Sequence, residues 1–424
     1  MKDNSSRLFP SFAWVGLFTV GFVILFLRRP DALVSAQFYA NDGKNWFADA
    51  YHMGALRSLF LPQDGHFQTL SRLVAVLVTP FGLTNAPLIF NIIALGIQAL
   101  VPIFILSRRF EKILPSVESR YFLAFIFLCL NNQMEIHASL TGAHWYLSFI
   151  ACTVLLEDPP SVGYWRWVDI CILALSGISG PFSIFLLPAS FIFWMIRRDS
   201  VRFYNFIIFL LESFVQLWAI FQFGHAGRLK ILCQFDILKI ATLFGKRVVW
   251  DSIVGSKAAL FSQALGPYYS VFFSVAIVTA FFLMLYALAN GSSSLRLVGL
   301  FSLNVFVASI ISPNISPLSK NSLDTLYLDG FSCRYWVVPT LFFITTITWN
   351  LFQAKNKAVK ILAALFSSGI IFGFIINFHF PAYVDYQFSG YAKKFERMAP
   401  GEEILIPINP QGWSMKLKKN FTAK

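Results

Sequence analysis

Residues Gln37–Arg72 read QFYANDGKNWFADAYHMGALRSLFLPQDGHFQTLSR, a polar, aromatic and acidic stretch in a largely apolar chain. The stretch carries Asp42, Asp49, Asp64, His52, His66 and Trp46, and it follows the first long apolar run, Ser11–Leu27. An apolar run opening into such a stretch reads as a membrane helix entering an aqueous loop, and this reading sets the fold class. The composition agrees. The chain has 424 residues, 57% hydrophobic and 13% charged, with a mean hydropathy of +0.64. Soluble domains are about a quarter charged. This chain has too little polar surface to cover itself in water, so lipid must face much of it.

Further apolar runs fall near 86–106, 119–132, 143–157, 167–179, 181–196, 203–224, 267–289, 297–313, 335–353 and 359–378. They predict an all-α polytopic membrane protein of about eleven spans, with roughly 9–13 allowed by the shorter runs. Lys and Arg in short connections set orientation. Lys2, Arg7, Arg108, Arg109, Lys112, Arg120, Arg166, Arg197, Arg198, Arg202, Arg296, Lys355, Lys357 and Lys360 all fall on one side of this threading. The N-terminus is then cytoplasmic, on an uncleaved signal anchor, and the C-terminus is external. The organisation reads as a membrane domain over 1–378, with outer loops 28–85 and 225–266, and an external tail over 379–424. Within the first loop, His66–Leu83 reads as an interfacial helix ended by Pro80 and Gly82.

The net charge of +13 would suggest nucleic acid on a soluble chain. Here the bases sit mainly in loops between apolar runs, so membrane lipids are the expected partners, with no nucleic acid. Cys129, Cys152 and Cys171 lie in apolar runs. Cys233 and Cys333 lie in outer loops and are placed to pair if those loops face an oxidising compartment. No CxxC or Cys/His spacing points to zinc. Walker A, GxSxG, HExxH and GxGxxG patterns are absent, and the chain leaves no room for a soluble nucleotide-sugar domain.

Several residues are candidates for chemistry. Asp42, between Asn41 and Gly43, is placed to accept a proton near the membrane surface. The same three residues also read as a turn, or as a helix cap. Asp64 and His66 belong to a turn leading into the helix that bears Arg72, a candidate phosphate ligand. Glu135, His137, His144 and Trp145 form a polar turn that reads as groove lining or as plain loop. No third close ligand joins Glu135 and His137, so no metal is expected. Glu212 and Gln216 share a helix face inside an apolar run and read as a structural hydrogen-bonding pair or a proton path. Ser179-Gly180-Pro181 marks a tight turn or broken helix. Arg334 opens a span, as an anchor or phosphate ligand. Lys416 follows Trp413 in a basic tail.

Taken together, Asn41-Asp42-Gly43 with Trp46, Asp64–Leu73, Ala86–Arg109, Glu135–Trp145, Gly177–Pro181 and Pro400–Trp413 resemble bacterial GT-C-type integral membrane glycosyltransferases. In organisation they are similar to phage-type, serotype-converting O-antigen glucosyltransferases. The resemblance implies a polyprenyl-phosphate sugar donor, an O-antigen or other envelope glycan acceptor, and transfer at the outer face of the bacterial inner membrane, without an organic cofactor. It puts Asp42 in the catalytic position. Asn41, Trp46, Asp64, His66, Arg72, Glu135, His137, His144, Trp145, Arg334 and Lys416 are the expected substrate contacts. Relatives carry an adjacent acidic pair where this chain has Asn41 before Asp42. A transporter or flippase of lipid-linked sugars, an O-antigen polymerase and an acyltransferase are the competing expectations.

Overall fold

A computed structural model describes residues 11–158, 160, 163–224, 236–313, 322–327 and 332–420. Helices dominate it. In chain order the main ones are α1 (Ser11–Arg28), α2 (Thr69–Val78), α3 (Gly82–Leu106), α4 (Val117–Leu128), α5 (Leu140–Leu155) and α6 (Gly163–Gly177). Then come α7 (Phe182–Arg197), α8 (Ser200–Phe223), α9 (Tyr269–Asn290), α10 (Ser293–Ile311), α11 (Val337–Gln353), α12 (Lys357–Ile376) and α13 (Phe388–Arg397). Each apolar run read from the sequence overlaps one of these helices. Among the described residues, six helical stretches are long and apolar enough to cross a bilayer. They contain α3, α8, α9, α10, α11 and α12. This is an all-helical membrane-type bundle with one exception. A hairpin of two short strands, β1 (Glu403–Ile408) and β2 (Trp413–Lys418), closes the chain.

The longest candidate stretch, Thr69–Leu106, has 38 residues. As one straight helix it would reach about 57 Å, nearly twice the ~30 Å hydrocarbon layer. It breaks at Thr79–Phe81, and Gly82 takes φ +81° to turn the corner. Thr69 donates its N–H to the Ile178 carbonyl at 3.3 Å, past the end of α6. At the far side of the break, Thr84 Oγ donates to Glu396 at 2.7 Å, in the same loop-rich end of the bundle. So α2 runs across that end, and α3 alone runs through the bundle. Leu70, Val74, Ala75 and Val78 face inward, while Leu77 and Phe81 are 61% exposed.

Two helices form the heart. Every residue of α5 but Thr141 is buried, and α11 lies in a stretch 89% buried. By contrast the α8 and α9 stretches are only 28% buried, and Leu211, Phe214, Val271 and Val275 among others face outward. Burial on two sides gives α5 and α11 their nearly continuous apolar character; α8 and α9 keep theirs where lipid is the outside solvent. At the end with short connections, Asp158 gathers Lys112 at 2.7 Å, Arg202 at 2.7 Å and Arg197 at 3.1 Å. Arg109 pairs with Asp169 at 2.7 Å there.

The tail is not a separate unit. In β1, Ile404, Ile406 and Ile408 point inward and Leu405 outward, the period of two of a half-buried strand. Met415 and Leu417 of β2 join them, with Ile406 opposite Met415 in antiparallel register. These side chains share one apolar core with Phe38, Trp46, Phe47, Val74, Phe388 and Phe395. The Ala40 N–H bonds the Asn409 carbonyl at 2.5 Å, and the Asn409 N–H bonds the Phe38 carbonyl at 3.2 Å. First loop and tail thus fold as a single cap on the bundle. The segment 225–266, expected as a second outer loop, is described from 236 onward, and a Cys233–Cys333 pairing lies outside the described residues.

Candidate functional site

The first loop enters a six-residue π-helix, Asp42–Phe47, straight after Ala40 at φ +49°. A Cβ on Gly43 would sit 2.8 Å from Phe38 Cβ, so glycine is needed there for space. The Asp42 carboxylate does not cap its own helix. It caps α5, nearly a hundred residues further on. Oδ2 accepts the Leu140 N–H at 2.9 Å and the Ser139 hydroxyl at 3.4 Å. Oδ1 accepts the Thr141 N–H at 2.7 Å and the Thr141 hydroxyl at 2.5 Å. The first N–H groups of a helix have no partner within it, and its N-terminus favours negative charge. Trp46 completes the knot by donating Nε1–H to Thr141 Oγ at 2.9 Å. Asp42 is fully buried, and that burial raises its carboxyl to about 6, against the pull of its four donors.

Asn41 lies beside this knot and accepts from Asn45 Nδ2 at 2.9 Å. Arg72, 1% exposed, stacks over Trp46 at 4.9 Å and pairs with Asp49 at 3.1 Å. Arg72 Nε and Nη2 have no hydrogen-bond partner among the described residues.

Asp64 and Gly65, at φ +51° and +82°, are the two central residues of a tight turn in which Gln63 and His66 exchange backbone hydrogen bonds. Positive φ at both positions is the type I′ geometry that Asp-Gly favours. The Gly65 α-carbon presses on Gly224, 2.8 Å from where a Cβ would go. His66 Nδ1 lies 3.1 Å from the Asp64 carbonyl. Gln216 fastens this turn to the bundle: Oε1 accepts the Phe67 N–H at 2.9 Å, and Nε2 donates to the Gly180 carbonyl at 2.9 Å. Gln216 therefore has the structural role, and Glu212 packs against Gly177. Ser179 Oγ accepts the Leu70 N–H at 2.8 Å and so caps α2.

Glu135 forms an ion pair with Arg334 and also accepts the Arg334 backbone N–H at 3.2 Å. The side chains are 12% and 28% exposed, which makes this pair the more open charged group beside the knot. Aromatic rings frame it. Arg334 stacks on Tyr335 at 4.8 Å, and Trp145 meets Tyr335 edge-on at 5.8 Å. His144 packs on Trp145 at 5.7 Å and on Phe182 at 5.5 Å. Tyr39 and Tyr383 stack at 5.4 Å in the same region. Burial, and after it the Glu135 charge, raises the Tyr39 hydroxyl. Burial likewise raises Tyr383, with Arg29 pulling it down and Asp42 pushing it up. Asp42, Trp46, Glu135, His144, Trp145 and Arg334 are thus brought to one end of the bundle. Among the described residues no three His, Cys, Asp or Glu gather as metal ligands.

Two further residues expected as substrate contacts have other surroundings. His137 is fully buried; its Nε2 lies 3.0 Å from the Leu25 carbonyl, and its ring packs on Phe380 at 5.0 Å. Burial, then the charges of Arg29 and Arg28, lower its pKa well below the usual range, so it is a neutral core histidine. Lys416 stands on the exposed face of the hairpin, paired across the strands with Glu403 at 2.7 Å.

Arg28 and Arg29, directly after the first apolar run, hold structural roles that the sequence reading does not assign. Arg28 donates to the Leu128 carbonyl at 2.9 Å and the Leu130 carbonyl at 2.6 Å, filling the open end of α4. Arg29 donates to the Met134 and His137 carbonyls at 3.1 and 3.3 Å and stacks on Tyr383 at 4.4 Å. Two arginines directly after an apolar run were the available signal. No protein-family model and no curated protein matches this chain.

Proposed function

We propose that this chain is a membrane glycosyltransferase that moves a sugar from a polyprenyl-phosphate donor to a cell-envelope glycan at the outer face of the bacterial inner membrane. In this reading all eleven apolar helices span, in a GT-C-like arrangement, with the N-terminus cytoplasmic and the loop-rich end periplasmic. One observation carries it. Two carboxylates, an arginine and a frame of aromatic rings meet at one end of an apolar bundle. Rings that stack on sugars and a cation for phosphate belong together where a lipid-borne sugar reacts.

Asp42 is the proposed base. Its carboxyl titrates at about 6, in the range that suits proton acceptance near neutral pH. Thr141 is the half-buried member of the knot, and its hydroxyl donates to Asp42. The acceptor hydroxyl loses its proton to Asp42 through Thr141 as its oxygen bonds to the anomeric carbon. The bond from that carbon to the phosphate oxygen breaks, and the phosphate leaves with the electron pair beside Arg334. Configuration inverts in a single displacement, and no acid is needed for so good a leaving group.

The full occupation of both Asp42 oxygens favours a second reading, in which Asp42 only holds α5 and Glu135 accepts the proton. Incubation of the purified protein with labelled polyprenyl-phosphate sugar and glycan tests both. Label in the glycan is the expected result. Translocation without transfer would make the protein a transporter, and the absence of both transfer and translocation would end the enzyme reading. Asp42→Asn should lower transfer by ~10²–10⁴-fold, as loss of a positioned base does. Normal transfer by Asp42→Asn, with transfer lost in Glu135→Gln, would hand the role to Glu135.

A further inference from the structure

α13 is two-faced. Phe388, Ala392 and Phe395 enter the cap's core, while Gly390, Lys393, Lys394 and Arg397 face outward and are exposed. Those four, with Met398 and Glu402, line an open groove of about 480 Å³. The one acid in the groove is engaged: Glu402 Oε2 accepts the Ala399 N–H at 3.0 Å. Lys393, Lys394 and Arg397 make no ion pair among the described residues. The groove therefore sets three cations against the single carboxylate of Glu402, an excess of positive charge.

Its height along the bundle is fixed by a neighbouring contact. Glu396, on the flank of α13, accepts the Thr84 hydroxyl at 2.7 Å, in the first turn of α3. Lys419 Nζ donates to the Phe395 and Glu396 carbonyls at 3.2 and 3.1 Å and locks the hairpin to the same spot. α3 is strongly apolar from there on, and Leu77 and Phe81 stand exposed just before it. The groove thus sits beside the first turn of α3, the end at which a bilayer crossed by α3 would have its phosphates.

We propose that this groove binds the phosphodiester headgroup of an anionic phospholipid and so pins the cap to the membrane surface. Arg397 offers a planar fork for the phosphate oxygens, and the two lysines add point charges. The attraction of clustered cations to an anionic leaflet supplies the rest. The proposal is independent of glycosyl transfer.

The test uses the full chain in neutral detergent with short-chain phosphatidylglycerol, phosphatidylcholine of the same chain length, or inorganic phosphate, read by native mass spectrometry. The wild type should retain one phosphatidylglycerol more than Lys393→Gln/Lys394→Gln/Arg397→Gln. Affinity at that site should fall about 5-fold per cation and about 100-fold for all three. Lys394→Gln alone gives the graded point, and both variants should melt as the wild type does without lipid, since the side chains are exposed. Phosphatidylcholine should not distinguish wild type from variant. Equal phosphatidylglycerol retention by wild type and triple variant overturns the proposal. So does displacement of the lipid by inorganic phosphate at matched concentration, which would make the groove a free-phosphate site.

Discussion

Asp42 and Glu135 stand at the same end of the bundle, in segments that touch, yet they are different kinds of acid. Asp42 is sealed, has no cation among the described residues, and spends both oxygens on backbone and hydroxyl donors at the start of α5. Glu135 has a cation, Arg334, and keeps some exposure on both partners. The first arrangement fixes where a helix begins. The second leaves a charge pair that can change partner when an anion arrives. The contrast teaches that an acid in a polar loop is not yet a reactive acid; what its lone pairs already hold decides.

Asp42→Ala breaks this contrast at its strongest point. It leaves the Leu140 and Thr141 N–H groups and two hydroxyls buried without their acceptor. Each unsatisfied buried donor costs about 1–3 kcal/mol, so a loss on the order of 3–5 kcal/mol is expected. Denaturation of the purified protein in detergent reads it. Glu135→Ala unpairs a partly buried arginine that keeps some access to solvent and should cost less, about 1–2 kcal/mol. If the two variants unfold alike, the division between sealed and open acid is wrong. In the transfer assay the next effect should appear: Arg334→Gln, folded normally, should lose on the order of 10²-fold in turnover through its lost hold on the phosphate. Unchanged turnover would remove Arg334 from the site.

Much of the architecture could be read from residue order, because helix spans and tight turns are local. The apolar runs mark the helices. Asp64-Gly65 announces its own turn, and Ser179-Gly180-Pro181 its break between α6 and α7. The cap was hidden. Glu403–Ile408 alternates correctly for a strand and pairs with nearby β2, but Asn409 just past it bonds Phe38 and Ala40 hundreds of residues away, and nothing local says they meet. Asp42 stands out from the sequence as a carboxylate in an apolar chain. Its partner, the start of α5, is a long-range choice that spacing does not encode. Glu135 and His137 illustrate the same limit within one turn. Ala138 at φ +55° helps bend the chain, so that one residue stays at the edge and the other goes into the core.

Protonation sharpens the comparison with a smaller effect. Burial raises the Asp42 carboxyl from 3.8 to about 6. The folded protein then holds this proton more tightly than the unfolded chain. The group's contribution to stability is fullest below the unfolded value, falls as pH rises towards about 6, and is constant above it. The stability of the wild type relative to Asp42→Asn should therefore decline from pH ~4 to ~6 and then level off. A difference that ignores pH across that window would mean the carboxyl is not perturbed by burial. If Asp42 is also the base, turnover should climb over the same window as the carboxylate forms.

Glu403 extends the scale to its exposed end. Its side chain is 46% exposed, and that of its partner Lys416 66%. The Lys416 ammonium, by hydrogen bond and charge, draws the Glu403 carboxyl below its usual range. That pull acts on two long side chains in water, where screening and lost side-chain freedom cancel most of it. The hairpin does not depend on it, because Ile404, Ile406, Met415 and Leu417 hold the two strands from the other face. Lys416→Gln should therefore leave melting and sugar transfer where they were, at low salt as at high. A clear fall in transfer with unchanged melting would bring Lys416 back as a substrate contact, and the outer face of the hairpin would then have to be counted as part of the site.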